Sequence, residues 1–228
     1  MQARSEETRR RIIAAGVELF DEIGYGGTSL QELVERAQIT KGAFYYHFST
    51  KQAVAVAIIA EAESLFRETV LRVLADTSLS ALDNVITLTF VIPQMHVQDK
   101  LTQVANKLRQ SLAQVSGAGS TAYQQRKDGT FPLLTAALGK AAAAGDIRDG
   151  IDVDKLGWTM WATAVGNRLL CDATDADIIG CTADMWEIIL PAIVTPENLP
   201  YFRERLERRP ELGVERGAPS RPRGSRRD

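Results

Sequence analysis

The chain has 228 residues, 45% of them apolar, which is enough for one large domain or a small domain beside a medium one, with a sizeable core. A formal net charge of −2 argues against a surface coated in basic charge, and two cysteines, Cys171 and Cys181, make neither a disulfide framework nor a metal quartet. No apolar run approaches ~20 residues and the charged start MQARSEETRRR lacks the apolar core of a signal peptide, so a cytoplasmic protein with idle thiols and no membrane span is expected.

Ile12, Ala15, Gly16, Leu19, Phe20 and Ile23 recur at helical spacing, which predicts an amphipathic helix over 6–23 capped by Ser5. Gly24 should stop it, with GYGG as the bend. Ser29 and Glu32 have the spacing of a capping box and open a short helix through Leu30, Leu33, Val34 and Ala37. Thr40 can cap a helix over 41–47. Ser49 with Gln52 repeats the signature before a long helix that runs to about Leu74.

Residues 79–95, 99–115, 121–144, 153–173, 182–194 and 196–208 also carry helical patterning. Asp152 can cap one of these helices, and Thr195 followed by Pro196 places a proline at the first position of another. Pro93 and Pro132 lie inside apolar segments, where each should kink or break its helix. SGAGST, 116–121, reads as a loop, and the Arg-bearing stretch from Gly213 as a disordered tail. With no convincing strand or repeat, the expected fold is all-α. Residues 1–50 form a helix-turn-helix domain, 51–210 a larger helical domain, and 211–228 a tail.

Two short helices joined by AQIT and preceded by a longer one have the lengths of a helix-turn-helix. The second of the pair, KGAFYYH, carries aromatic and basic groups on nearly all sides. Such a helix needs two surfaces, its own domain and a duplex. Ala43, Phe44 and Phe48 suit the packing. Lys41, Tyr45, Tyr46 and His47 suit double-stranded DNA, where phosphate contacts set register and base contacts give sequence preference. Gly42 lets the backbone come close to the duplex. The Thr28 hydroxyl and the helix end after it suit a phosphate, and Lys51 adds charge. Arg4, Arg9, Arg10 and Arg11 crowd the N-terminus.

These residues resemble the DNA-binding domain of the TetR family of bacterial repressors, through IIAAGVELFDEIGYGGTSLQELVERAQITKGAFYYHFSTK. The resemblance implies three N-terminal helices followed by a helical domain that dimerises and binds a small-molecule effector. Gln38 stands where that family often has Gly in the turn. A non-Gly residue at positive φ costs about 1 kcal/mol, so either the turn relaxes or the strain is carried.

Farther on, SALDNVITLTFVI, GDIRDGIDVDKLGWTMWATAVGNRLL and ADMWEIILPAIV resemble the γ-butyrolactone-receptor group of actinobacterial TetR-like regulators. That implies a small, mostly apolar signalling molecule controlling antibiotic production or development. Gln125 stands where the group often carries a pocket Trp, which suits a more polar butenolide or furan acid. Apolar pockets with a few aimed polar groups make Leu88, Val91, Val104, Leu108, Gln125, Leu134, Trp158, Met160, Trp161 and Thr163 the candidates, with Lys107 for a carboxylate. The bland alternative for each apolar member is plain core.

Helices 153–173 and 182–194 are apolar on more than one face, which fits a four-helix homodimer interface. An enzyme is the main rival class. His47 and His96 are the only histidines, and no Gly-rich phosphate loop, metal set or Ser/His/Asp arrangement calls for a cofactor or a catalytic site. The other rivals are an interaction protein that does not bind DNA and, within the same family, a multidrug sensor controlling an efflux pump.

Overall fold

The computed structural model describes residues 2–115 and 118–208. The described residues form eleven helices: α1 (Gln2–Glu22), α2 (Gly24–Gly27), α3 (Leu30–Arg36), α4 (Lys41–His47), α5 (Lys51–Leu74), α6 (Ala81–Gln98), α7 (Lys100–Val115), α8 (Ala118–Ala143), α9 (Val153–Thr174), α10 (Ile178–Ile193) and α11 (Leu199–Glu207). There is no strand among them, only an isolated antiparallel bridge between Ile147 and Val194. The all-α expectation holds, and the tail 211–228 lies outside the described residues.

Local signals account for most of the helix ends. The Ser29 hydroxyl accepts from the Glu32 N–H at 3.2 Å while the Glu32 carboxylate accepts from the Ser29 N–H at 2.7 Å, completing the capping box. Thr40 caps α4 through the Ala43 N–H, and Asp152 caps α9 through the Asp154 and Lys155 N–H groups. Gly24 does end α1, at φ +73°, a value that suits glycine.

Several boundaries differ from the sequence expectation. Helix α1 begins at Gln2, so Ser5 lies inside it. GYGG is itself one helical turn, α2. Thr50, not Ser49, caps α5, accepting from the Ala53 N–H at 3.1 Å. Pro93 and Pro132 lie within the continuous α6 and α8, so neither breaks its helix. Residues 118–121 are helical rather than loop, while 116–117 are outside the described residues. Helix α11 begins at Leu199 with Pro200 in its first turn, and 196–198 form a turn, so Pro196 is not the first helical residue.

The chain divides into two compact units. The first comprises Met1–Phe66 with His96–Lys127. Its core joins Ile12, Leu19 and Phe20 of α1, Leu33 of α3, Phe44 of α4, Val54 and Ile58 of α5, and Val104, Leu108 and Leu112 of α7. A boundary at residue 50 is therefore not where the packing divides, because α7 and the first part of α5 share a core with the N-terminal helices. At Gly16 an added Cβ would stand 2.9 Å from Val54 Cγ1, so only glycine lets α1 lie this close to α5. Lys100 and Lys107 of α7 both pair with Asp21 of α1, at 3.3 and 2.9 Å.

The second unit comprises Arg67–Met95 with Asp128–Asp228. Its core gathers Leu82, Ile86 and Phe90 of α6, Leu134 and Leu138 of α8, Met160 of α9, Trp186 and Leu190 of α10, and Phe202 of α11. Fully buried Trp186 donates its indole N–H to the Thr89 hydroxyl at 2.7 Å, which satisfies the polar end of the largest core side chain. The Tyr201 hydroxyl donates to buried Asp83 at 2.8 Å, and Arg205 donates to the Thr87 hydroxyl at 3.1 Å. Both tie α11 to α6.

Candidate nucleic-acid interface

Helix α4 is short, and the residues around it hold it in place. Phe44 is fully buried and Phe48 nearly so, with ring centroids 6.3 Å apart. Ala43 is half-buried. On the same seven-residue helix Tyr45 is 52% and Tyr46 79% exposed, and Lys41 and Gly42 are also exposed. Phe44 and Phe48 thus face inward, while Lys41, Gly42, Tyr45 and Tyr46 are exposed. His47 is half-buried and meets the Tyr46 ring edge-on at 5.0 Å. A Cβ at Gly42 would meet only the Thr40 hydroxyl, at 4.0 Å, so internal packing does not demand glycine there and the position is open outward.

Three side chains set the orientation of α3 and α4. Arg36, at the end of α3, pairs with Glu18 at 3.1 Å and Glu22 at 2.8 Å, which lie one turn apart on α1. The Glu22 bond, then the Glu18 bond, push the Arg36 guanidinium above its ordinary range. Arg11 of α1 donates to the carbonyls of Ala37 and Gln38 in the turn between α3 and α4, at 2.6 and 2.7 Å. Gln38 has φ +52°, so the turn does not relax and the strain is carried. Arg9 lies 5.6 Å over the Phe48 ring and pairs with Glu61. Of the arginines that crowd the N-terminus, Arg9 and Arg11 are therefore positioning groups. The i, i+4 acidic pair Glu18 and Glu22 facing an Arg was the available sequence signal for Arg36. For Arg11 no local pattern existed.

Two expected phosphate contacts are corrected. Thr28 is only 2% exposed and its hydroxyl donates to the Gly24 carbonyl at 2.8 Å, closing α2 rather than facing outward. The Lys51 ammonium donates to the carbonyls of Tyr25 at 2.7 Å and Thr28 at 2.6 Å and sits 4.5 Å over the Tyr25 ring. Burial pulls Lys51 below the usual lysine value, while the nearby Glu32 charge opposes that pull. The two carbonyls and the ring face add to Glu32 in favouring the cation. Lys51 thus caps the carbonyl end of α2 and fixes the strand of backbone that leads into α3.

The effector candidates are distributed between the two units. In the first, Val104 and Leu108 are core residues, Gln125 is exposed, and exposed Lys107 already pairs with Asp21. In the second, Leu88 and Val91 are buried on α6, and Leu134 and Met160 belong to the core. Trp161 and Thr163 are half-buried, and Trp158 is 51% exposed with its ring against Phe131. A groove of about 560 Å³ between α10 and α11 is lined by Leu190, Pro191 and Leu206 with Glu187, Arg203 and Glu207. None of these was a candidate, because nothing in their spacing marks a ligand.

On α9, Trp158, Leu169 and Leu170 stay exposed, as does Ile188 on α10 at 77%. Among the described residues no helix is long and apolar enough to cross a membrane, and no three His, Cys, Asp or Glu gather as metal ligands.

Residues 12–58 match the family described as bacterial regulatory proteins, tetR family. The whole chain aligns at 29% identity with the A-factor receptor protein of Streptomyces griseus, covering 76% of that protein. A solved γ-butyrolactone receptor (ArpA-like protein) superposes with a TM-score of 0.69 at 27% identity, covering 90% of this chain and 97% of that one. CprB from Streptomyces coelicolor, solved in complex with its biological operator sequence, gives a TM-score of 0.63 at 28% identity with the same coverage.

Proposed function

We propose that this chain, a transcriptional regulator with the N-terminal domain of the tetR family and related to the A-factor and γ-butyrolactone receptors, is a homodimeric repressor released from its operator by a small signalling molecule. The observation that carries the DNA-binding part is α4. Phe44 and Phe48 anchor it inward while Lys41, Gly42, Tyr45 and Tyr46 stand outward. Lys41, in the first turn, reads base edges or phosphate. Tyr45 and half-buried His47 donate to phosphate oxygens. Thr40 keeps its hydroxyl on the helix end and holds the first turn rigid.

Two copies associate through the apolar faces of α9 and α10. Large side chains left at the surface there, Leu170 at 65% and Ile188 at 77% exposure, are what a helical dimer interface would cover. The operator is then an inverted repeat, with the reading helices about 34–36 Å apart or a multiple of it.

The effector is a small, mostly apolar molecule of γ-butyrolactone, butenolide or furan type. Support comes from similarity along the full chain to receptors of that kind. Release needs different affinities in the free and DNA-bound states, because a ligand binding both equally shifts nothing. A hundredfold loss of operator affinity corresponds to about 2.7 kcal/mol of coupling. The test is footprinting of genomic fragments followed by titration of butyrolactone, butenolide and furan-acid effectors on free protein and on the protein–DNA complex. A protected inverted repeat, with one ligand class binding free protein more tightly, supports the proposal. Equal affinities in the two titrations would refute release.

A further inference from the structure

The Cys171 thiol, near the end of α9, donates to the Cys181 sulfur at 3.8 Å on the first turns of α10. Neither cysteine is in a disulfide. The contact is held by a tight turn, not left to two flexible side chains. Asp175 caps α9 in the left-handed region at φ +53°, its N–H donating to the Cys171 carbonyl, and the Ala176 N–H donates to the same carbonyl at 3.2 Å. On the other side Asp177 caps α10 through the Ile179 N–H at 3.0 Å, and the Cys181 N–H donates to the Asp177 carbonyl at 2.9 Å. Both cysteines are therefore fixed by the same three-residue connection. Sulfur atoms in van der Waals contact need only small side-chain rotations to bond.

We propose that Cys171 and Cys181 are a two-electron redox modification site that closes a reversible intrachain disulfide between α9 and α10 on reaction with a hydroperoxide. Cys171 is buried and Cys181 half-buried, so Cys181 is the sulfur that meets the oxidant. Its thiolate attacks the peroxide, forming an S–O bond as the O–O bond breaks, and the leaving oxygen takes the proton to depart as an alcohol or water. The product is a sulfenic acid at Cys181. Cys171 then attacks that sulfur. The S–S bond forms, the S–O bond breaks, and hydroxide leaves with the Cys171 proton as water. Overall two thiols lose two electrons and two protons, and the peroxide is reduced. Burial, then the neighbouring sulfur, pushes the Cys171 thiol up, consistent with its role as the second, resolving sulfur. A closed metal site is not favoured by the donor set, since no third His, Cys, Asp or Glu joins the pair among the described residues. The pair stands apart from α4 and from the effector proposal, and it can fail without them.

The test uses the full chain, reduced, desalted and treated with one equivalent of hydrogen peroxide per chain. Remaining thiols are then blocked with iodoacetamide, and the products are mapped by intact mass and by peptides. The expected result is the joint loss of both alkylatable thiols, a peptide linking Cys171 to Cys181 of one chain, and full recovery with dithiothreitol. In Cys171→Ser, Cys181 should stop at a sulfenic acid trapped by dimedone. Three results would overturn the proposal: a sulfinic acid at Cys181 with Cys171 still alkylatable, a chain-to-chain disulfide on a non-reducing gel, or no reaction at either sulfur in excess peroxide. The mapping of the wild-type chain decides the matter even where a variant does not fold.

Discussion

The Arg11 guanidinium donates to the carbonyl of Gln38 at 2.7 Å, joining α1 to the one strained residue of the turn that aims α4. The same nitrogen takes the Ala37 carbonyl, so one side chain fixes both peptide groups after α3. Replacing Gln38 by Gly relieves about 1 kcal/mol of left-handed strain and adds roughly 0.5 kcal/mol of unfolded-chain entropy. Gln38→Gly is therefore expected to stabilise the protein slightly. Arg11→Ala should cost about 1 kcal/mol and weaken operator binding through α4. Urea denaturation of both variants and the double variant checks this, and strictly additive effects would show that the two residues are not coupled.

Tyr45→Phe should weaken binding to all sequences alike if its hydroxyl holds phosphate, and Lys41→Ala should alter sequence preference. Phe44→Ala, at a fully buried position, should instead cost about 3–5 kcal/mol of stability. Gel shifts against specific and mismatched operators, with parallel melting curves, separate the two classes. Full operator affinity in the Lys41/Tyr45 double alanine variant would remove α4 as the reader.

Lys51→Met should lower thermal stability because two carbonyls of the α2 segment lose their donor. It should leave the slope of log affinity against log salt unchanged, whereas a variant that loses a phosphate contact lowers that slope by about 1. A lowered slope in Lys51→Met would restore the phosphate role.

The Lys107 bond holds the Asp21 carboxyl below its ordinary value of 3.8; burial opposes this, and the Lys100 bond adds to the lowering. A carboxylate depressed in the folded state stabilises fully above its ordinary value and loses that contribution as pH falls through the folded value. Asp21→Asn should therefore be destabilising at neutral pH, with the gap to the parent chain closing as pH falls below 3.8. Chemical denaturation across the acid range measures the gap.

Leu170→Arg or Ile188→Asp should turn the protein into a folded monomer with weak operator binding, because each places a charge in the apolar face expected to be covered. Analytical ultracentrifugation at micromolar concentration reads this directly. A parent chain that is itself monomeric would end the dimer reading.

The sequence alone determined what depends on neighbours a few positions away. Helical spacing from Ile12 to Ile23, the Ser29–Glu32 box, the Thr40 and Asp152 caps and the inward pair Phe44 and Phe48 all act within one or two turns of chain. They were legible, and so was the aromatic-basic helix they frame. What only tertiary structure decided depends on groups far apart in sequence. Thr28 turns inward because Gly24 offers a carbonyl beside it, and Lys51 spends its charge on that segment from 23 to 26 residues away. Lys107 is held by an aspartate 86 positions earlier. Pro93 and Pro132 both lie inside continuous helices, although each proline lacks the backbone donor of an ordinary helical residue. The effector candidates were chosen by apolar character, which core and pocket share. Which of the two a side chain serves is set by what packs across from it, and composition does not encode that.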